Sequence, residues 1–110
     1  MNFYMKEYIS GTRTYSMTVT DNDLDYLNEM LQNATPAVEP LTMDDLCAIW
    51  NRTDSDKFKT VITVKTFWGR TDETTIEDYV RDVMRDWIYD DDPHEKLEYD
   101  GSTDYWSEEY

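Results

Sequence analysis

The sequence has 110 residues, of which 25 are Asp or Glu and 10 are Lys or Arg, so the formal net charge is −15 with the single histidine neutral. Aromatic residues make up 15% of the chain, which is enough to build a core, whereas charged chains with few aromatic residues are usually disordered. The acidity argues against direct binding to nucleic acid or to an anionic membrane, and no apolar run reaches the roughly 18 residues of a membrane-spanning helix.

The first predicted element is a β-hairpin over residues 2–9 and 13–19. Apolar and polar side chains alternate in both segments, which is typical of strands with one buried face. Ser10-Gly11-Thr12 provides the turn between them.

Two helices are predicted next, over residues 21–33 and about 42–51. Each follows or begins with a threonine that caps its first turn, and Asp45 occupies the capping-box position of the second helix. Cys47 lies on the apolar stripe of the second helix and is interpreted as a small core residue. A chain with one cysteine forms no internal disulfide, which indicates a reducing cytoplasm.

A strand and a third helix follow. Residues 57–68, KFKTVITVKTFW, are rich in β-branched and aromatic side chains and form the strongest strand prediction, which Gly69 ends. Apolar residues between Ile76 and Ile88 then recur at three and four positions, which predicts a helix over residues 75–89.

The last predicted element is a hairpin around Asp100-Gly101, a strong turn signal. Leu97 and Tyr99 lie before this turn, and Tyr105 and Trp106 lie after it. A mobile acidic tail is the alternative. The predicted order ββααβαββ indicates one α+β domain over residues 1–110, with a small antiparallel sheet packed on about three helices.

Few residues suggest catalysis or metal binding. His94 is the only histidine, follows three aspartates and is interpreted as a solvated loop residue. Asp21, Asp23 and Asp25 copy the first ligands of a calcium loop, but Tyr26 stands where such a loop needs glycine. We therefore predict no catalytic residues, no metal site and no cofactor, and expect the protein not to be an enzyme.

The acidic residues are concentrated toward the C-terminal end. Residues 71–110 hold 15 acids and three bases, whereas residues 1–70 hold 10 acids and seven bases. Acidity that served only solubility would be spread more evenly over the surface. The asymmetry therefore indicates one acidic face or end of the domain.

A regular row of aspartates lies on the third predicted helix. Asp78, Asp82 and Asp86 are four residues apart, which separates them by about 6 Å along the axis, a distance comparable to the phosphate spacing along one DNA strand. One interpretation is a solvated face that Arg81 and Arg85 partly neutralise, and the other is a binding surface.

Acids and aromatic rings alternate in the segment that follows this helix. Tyr and Trp are enriched at interface hot spots, and carboxylates speed the encounter with a basic partner. Rings among carboxylates also suit a groove that stacks bases and holds phosphates. Alternatively, these rings pack the terminal hairpin onto the domain. The candidate partner-binding residues are Asp86, Asp90, Asp91, Asp92, Glu95, Glu98, Asp100, Asp104, Tyr99, Tyr105 and Trp106.

In size, charge and aromatic content the whole chain resembles the small acidic inhibitors of phages and mobile elements, which include DNA-mimicking anti-CRISPR and anti-restriction proteins. The resemblance implies a non-enzymatic protein in the cytoplasm of a bacterial host. Its expected partner is a basic nucleic-acid-binding protein, a CRISPR effector or a restriction enzyme, whose binding of target DNA it blocks.

Other functions share these features. An immunity protein or antitoxin for a basic nuclease would need the same electrostatics. A carboxylate-based or metal-dependent enzyme would need a cleft with carboxylates of perturbed pKa. A plain acidic interaction domain would use its charge for solubility alone. The sequence leaves the oligomeric state open.

Overall fold

The computed structural model describes residues 1–9, 11–65, 69–91 and 102–108, and in these ranges the predicted α+β class is confirmed. Strands β2, β1 and β5 form one antiparallel sheet with β1 in the centre, and β3 and β4 form a second. The elements in chain order are β1 (Asn2–Ile9), β2 (Gly11–Thr18), α1 (Asp21–Gln32), α2 (Met43–Trp50), β3 (Val61–Lys65), β4 (Thr71–Thr75), α3 (Ile76–Asp91) and β5 (Ser102–Glu108), with a turn of 3-10 helix at Asp56–Phe58.

The central strand β1 separates an inner and an outer face of the three-stranded sheet. Phe3, Met5 and Glu7 point inward and are buried, as are Tyr15 and Met17 of β2, which lie opposite Met5 and Phe3. This is the alternation that the sequence predicts for residues 2–9 and 13–19, because successive side chains of a strand point to opposite faces. The inner face packs on the helices, and the core forms there.

The first two helices begin at the predicted threonines. The Thr20 hydroxyl accepts a hydrogen bond from the backbone N–H of Asp23, whose carboxylate accepts one from the Thr20 N–H. Thr42 and Asp45 form the same reciprocal pair at the start of α2. Each capping box satisfies two backbone donors that a helix otherwise leaves unpaired.

Trp50, the last residue of α2, joins the helices to the sheet. Its side chain is completely buried, and its Nε1 donates a hydrogen bond to the backbone carbonyl of Tyr4 at 2.8 Å. The ring makes edge-to-face contacts with Phe3 of β1 and Tyr105 of β5, with centroid distances of 6.1 and 4.8 Å. One side chain therefore fixes α2 against two neighbouring strands.

The structure differs from the sequence prediction around β3 and β4. The strand predicted over residues 57–68 begins at Val61, and its first residues belong to the 3-10 turn. The short polar strand β4, TDETT, pairs with β3 and was not predicted, because it lacks an apolar alternation. Gly69, predicted to end the strand, lies between the two strands with a positive φ of 76° that favours glycine.

The terminal hairpin is only partly described. Its second strand corresponds to β5, which pairs with β1 so that Tyr4 lies opposite Trp106 and Lys6 opposite Asp104. The first predicted strand, which holds Leu97 and Tyr99, lies outside the described residues. In the described ranges the element order is therefore ββααββαβ.

A buried carboxylate lies between β1 and α3. Glu7 is 3% exposed and accepts hydrogen bonds from the hydroxyls of Tyr15, at 3.4 Å, and Tyr89. The Tyr89 hydroxyl is also hydrogen-bonded to Arg85. Burial, and after it the hydrogen bond to Glu7, raises the pKa of Tyr89 to about 12. Because a buried charge is tolerated only when it is paired or hydrogen-bonded, these tyrosines are what allow Glu7 to stay in the core.

Replacing Tyr89 by phenylalanine removes the donor to one oxygen of the buried Glu7 carboxylate. We expect Tyr89→Phe to lower the free energy of unfolding by about 1–3 kcal/mol at pH 7, measured by urea denaturation. Tyr8→Phe is the control, because the hydrogen bond from Tyr8 to Asp104 is exposed, and it should lower the free energy of unfolding by much less than Tyr89→Phe does.

The unchanged protein and Tyr89→Phe should also differ in how their stability changes at alkaline pH. A tyrosine pKa raised from 10.0 to about 12 contributes stability that is complete below pH 10 and is lost as the pH rises toward 12. The unchanged protein should therefore lose more stability over this interval than Tyr89→Phe. Parallel stability curves for the two proteins would contradict this assignment.

Candidate functional site

The predicted row of aspartates is present on the surface of α3. Asp78, Asp82 and Asp86 are all exposed and, being four residues apart, lie along one side of the helix. We call these three residues the acidic row. Asp90 continues the spacing, and its backbone belongs to the last turn of α3.

The two arginines of α3 lie deeper than the acidic row. The Arg81 side chain is 17% exposed, compared with 63% for Asp78, and its Nε donates to the carbonyl of Ile49 in α2 at 2.9 Å. Its terminal nitrogens lie 3.8 Å from carboxylate oxygens of Glu77 and Asp78. Arg85 is partly buried and is hydrogen-bonded to Tyr89. A partner that approaches α3 therefore meets carboxylates first.

The predicted aromatic residues Tyr105 and Trp106 are neighbours in β5 and point to opposite faces of the sheet. Tyr105 points inward, against Trp50, and the Arg52 guanidinium lies 4.6 Å from the centre of its ring. Trp106 points outward and stacks on Tyr4, with a centroid distance of 5.4 Å and an angle of 11° between the ring planes. Tyr105 thus contributes to packing, whereas Trp106 belongs to the outer face.

The outer face of the sheet carries a second group of polar and aromatic side chains. Asp104 accepts a hydrogen bond from the Tyr8 hydroxyl at 2.7 Å, which raises the pKa of Tyr8. The Lys6 ammonium lies 5.3 Å from the Tyr8 ring centre. Together with Tyr4 and Trp106, these residues form what we call the outer aromatic face. Sequence reasoning missed its β1 members, although their alternation with the buried Phe3 and Met5 was visible in the sequence.

The predicted partner-binding residues therefore do not form one patch. Asp86 lies on α3, on the side of the sheet to which Tyr105 points, and Asp104 and Trp106 lie on the opposite face. For Asp90 and Asp91 the structure describes the helical backbone alone. The remaining predicted residues, Asp92, Glu95, Glu98, Tyr99 and Asp100, lie outside the described ranges.

Asp23 and Cys47, whose side chains could bind a metal or act in catalysis, have other contacts in the structure. Asp23 is engaged in the α1 capping box, and Cys47 is partly buried against the core. His94 falls outside the described ranges. Within those ranges no three histidine, cysteine or carboxylate side chains are grouped to hold a metal ion, and none of the helices has the length and apolar character needed to cross a membrane.

Comparison of this chain with protein-family models, with curated proteins and with solved structures found no match.

The two β5 aromatics should contribute unequally to stability. Tyr105→Ala removes a ring packed on Trp50 and should lower the free energy of unfolding by about 2–4 kcal/mol. Trp106→Ala removes an outward stacking contact and should cost about 1 kcal/mol. Urea denaturation of the two variants tests this difference. Equal losses would mean that the two rings are not separated into a core position and a surface position.

Proposed function

We propose that this protein is a non-enzymatic inhibitor that binds the basic nucleic-acid-binding surface of a nuclease complex as a mimic of DNA. The partner class is a CRISPR effector or a restriction enzyme, and the step blocked is the binding of target DNA. The observation that carries the proposal is the acidic row, whose three carboxylates are exposed while the neighbouring arginines lie deeper.

The spacing of the acidic row supports this proposal. Carboxylates repeated every four residues of a helix lie about 6 Å apart along a rigid axis. Lysine and arginine side chains that hold successive phosphates of a DNA strand would meet charges of the same sign at a similar interval. Like charges at this spacing destabilise an isolated helix by a few tenths of a kcal/mol per pair, so a row of this kind is not explained by helix stability.

The overall charge supports rapid encounter with such a partner. A net charge of −15 attracts a basic groove over long distances and repels nucleic acid. The protein would therefore not bind the DNA that it is proposed to displace. Opposite charges raise the rate of association, and at 0.1 M salt the interactions between exposed charges more than about 10 Å apart are largely screened. Binding should therefore weaken as salt is added.

The aromatic contribution is assigned to Trp106 and not to Tyr105. Trp106 and its partner Tyr4 present stacked rings on the outer face, beside Asp104. Tyr105 is held between Trp50 and Arg52 and serves the fold. A partner that contacts both Trp106 and the acidic row would have to reach both faces of the sheet.

The proposal is tested by competition on purified nucleases. RNA-guided effectors and restriction enzymes are mixed with labelled DNA, with and without this protein, and DNA binding is measured by gel shift at low and moderate salt. Loss of DNA binding by one nuclease family, together with co-elution of the two proteins, is the expected result. Persistent DNA binding with blocked cleavage would overturn the mimic mechanism. Binding to a basic nuclease without displacement of DNA would favour the immunity-protein interpretation.

Neutralising the acidic row should weaken inhibition without unfolding the protein. Asp82→Asn with Asp86→Asn removes two exposed carboxylates from α3, and we expect at least about a tenfold loss of affinity at low salt. The loss should become smaller at higher salt, since screening already weakens these contacts.

The matched control for this variant lies on α1. Asp25 and Glu29 are also exposed and also four residues apart, so Asp25→Asn with Glu29→Gln changes the net charge by the same amount. If the acidic row carries binding, this control retains its affinity and both variants keep their melting temperatures. Equal loss of affinity in the two variants would show that net charge alone matters, and full inhibition by the α3 variant would remove the acidic row from the interface.

A further inference from the structure

A cleft of about 350 Å³ lies where the C-terminal end of α2 meets α3 and β5. Three of the five arginines of the chain, Arg52, Arg81 and Arg85, line it together with Tyr105. This concentration of cations is unexpected in a protein with a net charge of −15. We propose that the cleft, which we call the arginine cleft, binds one small oxyanion, a carboxylate or a phosphate group that is either free or carried by a larger molecule.

The backbone at Arg52 supports a role for its side chain. Arg52 follows the α2 cap Asn51 and has a φ of 59°, a left-handed conformation that disfavours residues with a Cβ. Glycine is the usual residue at this position after a helix. Arg52 instead places its guanidinium 4.6 Å from the ring centre of Tyr105, at the wall of the cleft. An arginine held in this conformation is more readily explained by what its side chain does than by the turn it makes.

The other two arginines have donors that protein acceptors do not fully use. Arg85 Nε is buried and has no hydrogen-bond partner among the described residues, which is an unfavourable state for a polar atom. The terminal nitrogens of Arg81 lie 3.8 Å from the nearest carboxylates, which is beyond hydrogen-bond distance. Oxygen atoms of an anion in the cleft would satisfy the terminal nitrogens of Arg81, whereas Arg85 Nε is closed off from solvent and lies beyond their direct reach.

The charge of the lining indicates the class of ligand. Asp78 and Asp82 also border the cleft, so its lining holds three positive and two negative side chains, and Glu77 approaches Arg81 to 3.8 Å from outside this lining. A ligand with a single negative charge suits such a lining. Guanidinium groups bind carboxylates and phosphates through paired N–H donors, and the cleft volume lies within the usual range for small-molecule sites. The inference does not depend on the proposed inhibitory function.

The experiment is an NMR titration of the arginine Nε–Hε signals of the whole protein, with inorganic phosphate, acetate and chloride compared at constant ionic strength. The expected result is a saturable shift of the Arg81 and Arg85 signals with phosphate or acetate and no such shift with chloride. Tighter binding of phosphate identifies a phosphate group as the ligand, and tighter binding of acetate identifies a carboxylate. Equal responses to all three anions, or no saturation with any, would overturn the proposal.

Two glycine variants separate binding from folding and from net charge. Arg52→Gly should weaken anion binding by about tenfold, while the melting temperature stays close to the original because the gain from glycine in the left-handed backbone offsets the lost contact with the Tyr105 ring. Arg70→Gly removes one positive charge from an exposed position outside the cleft and should leave binding unchanged. Equal weakening in both variants, or unchanged binding in Arg52→Gly, would contradict the assignment of Arg52 to the site.

Discussion

The placement of Trp50 is the contact on which the rest of the arrangement depends. Its indole donates to the backbone of β1 and packs against rings of both β1 and β5, so the end of α2 is tied to two strands at once. The next two residues extend this attachment, because Asn51 donates to the Ser107 hydroxyl at 3.0 Å and Arg52 covers Tyr105. The fixed end of α2 thereby forms one wall of the arginine cleft and holds β5 in register.

The charges around α3 are arranged in two layers. Carboxylates of the acidic row are exposed, whereas Arg81 and Arg85 lie closer to α2 and the sheet and reduce the repulsion among the neighbouring acids. This arrangement places cations beneath an acidic surface. It also explains how a strongly negative protein can contain a cleft with a local excess of positive charge, since burial and proximity determine the field inside a cleft more than the net charge does.

Much of the fold, but less of the candidate site, could be predicted from the sequence. The capping boxes and the apolar stripes depend on residues close together in the chain, and they appear where the sequence indicates. Strand β4 could not be recognised because its partner β3, and not its own pattern, determines its conformation. Strand alternation is enough to separate Tyr105 from Trp106, although the sequence prediction placed both in one binding set. The meeting of Arg52 with Arg81 and Arg85 depends on tertiary packing at Trp50 and has no signal in the sequence.

The central position of β1 also affects how the chain acquires its structure during synthesis. One edge of β1 pairs with β2, which follows it directly in the chain. The other edge pairs with β5, and the hydrogen-bonded residues Tyr8 and Asp104 of these two strands are 96 positions apart. Until residues 102–108 emerge from the ribosome, β1 exposes a row of unpaired backbone groups, the kind of edge on which other chains assemble. Closing so long a loop carries an entropic cost and slows folding. The nascent chain is therefore most open to aggregation and to cellular proteases before β5 is made.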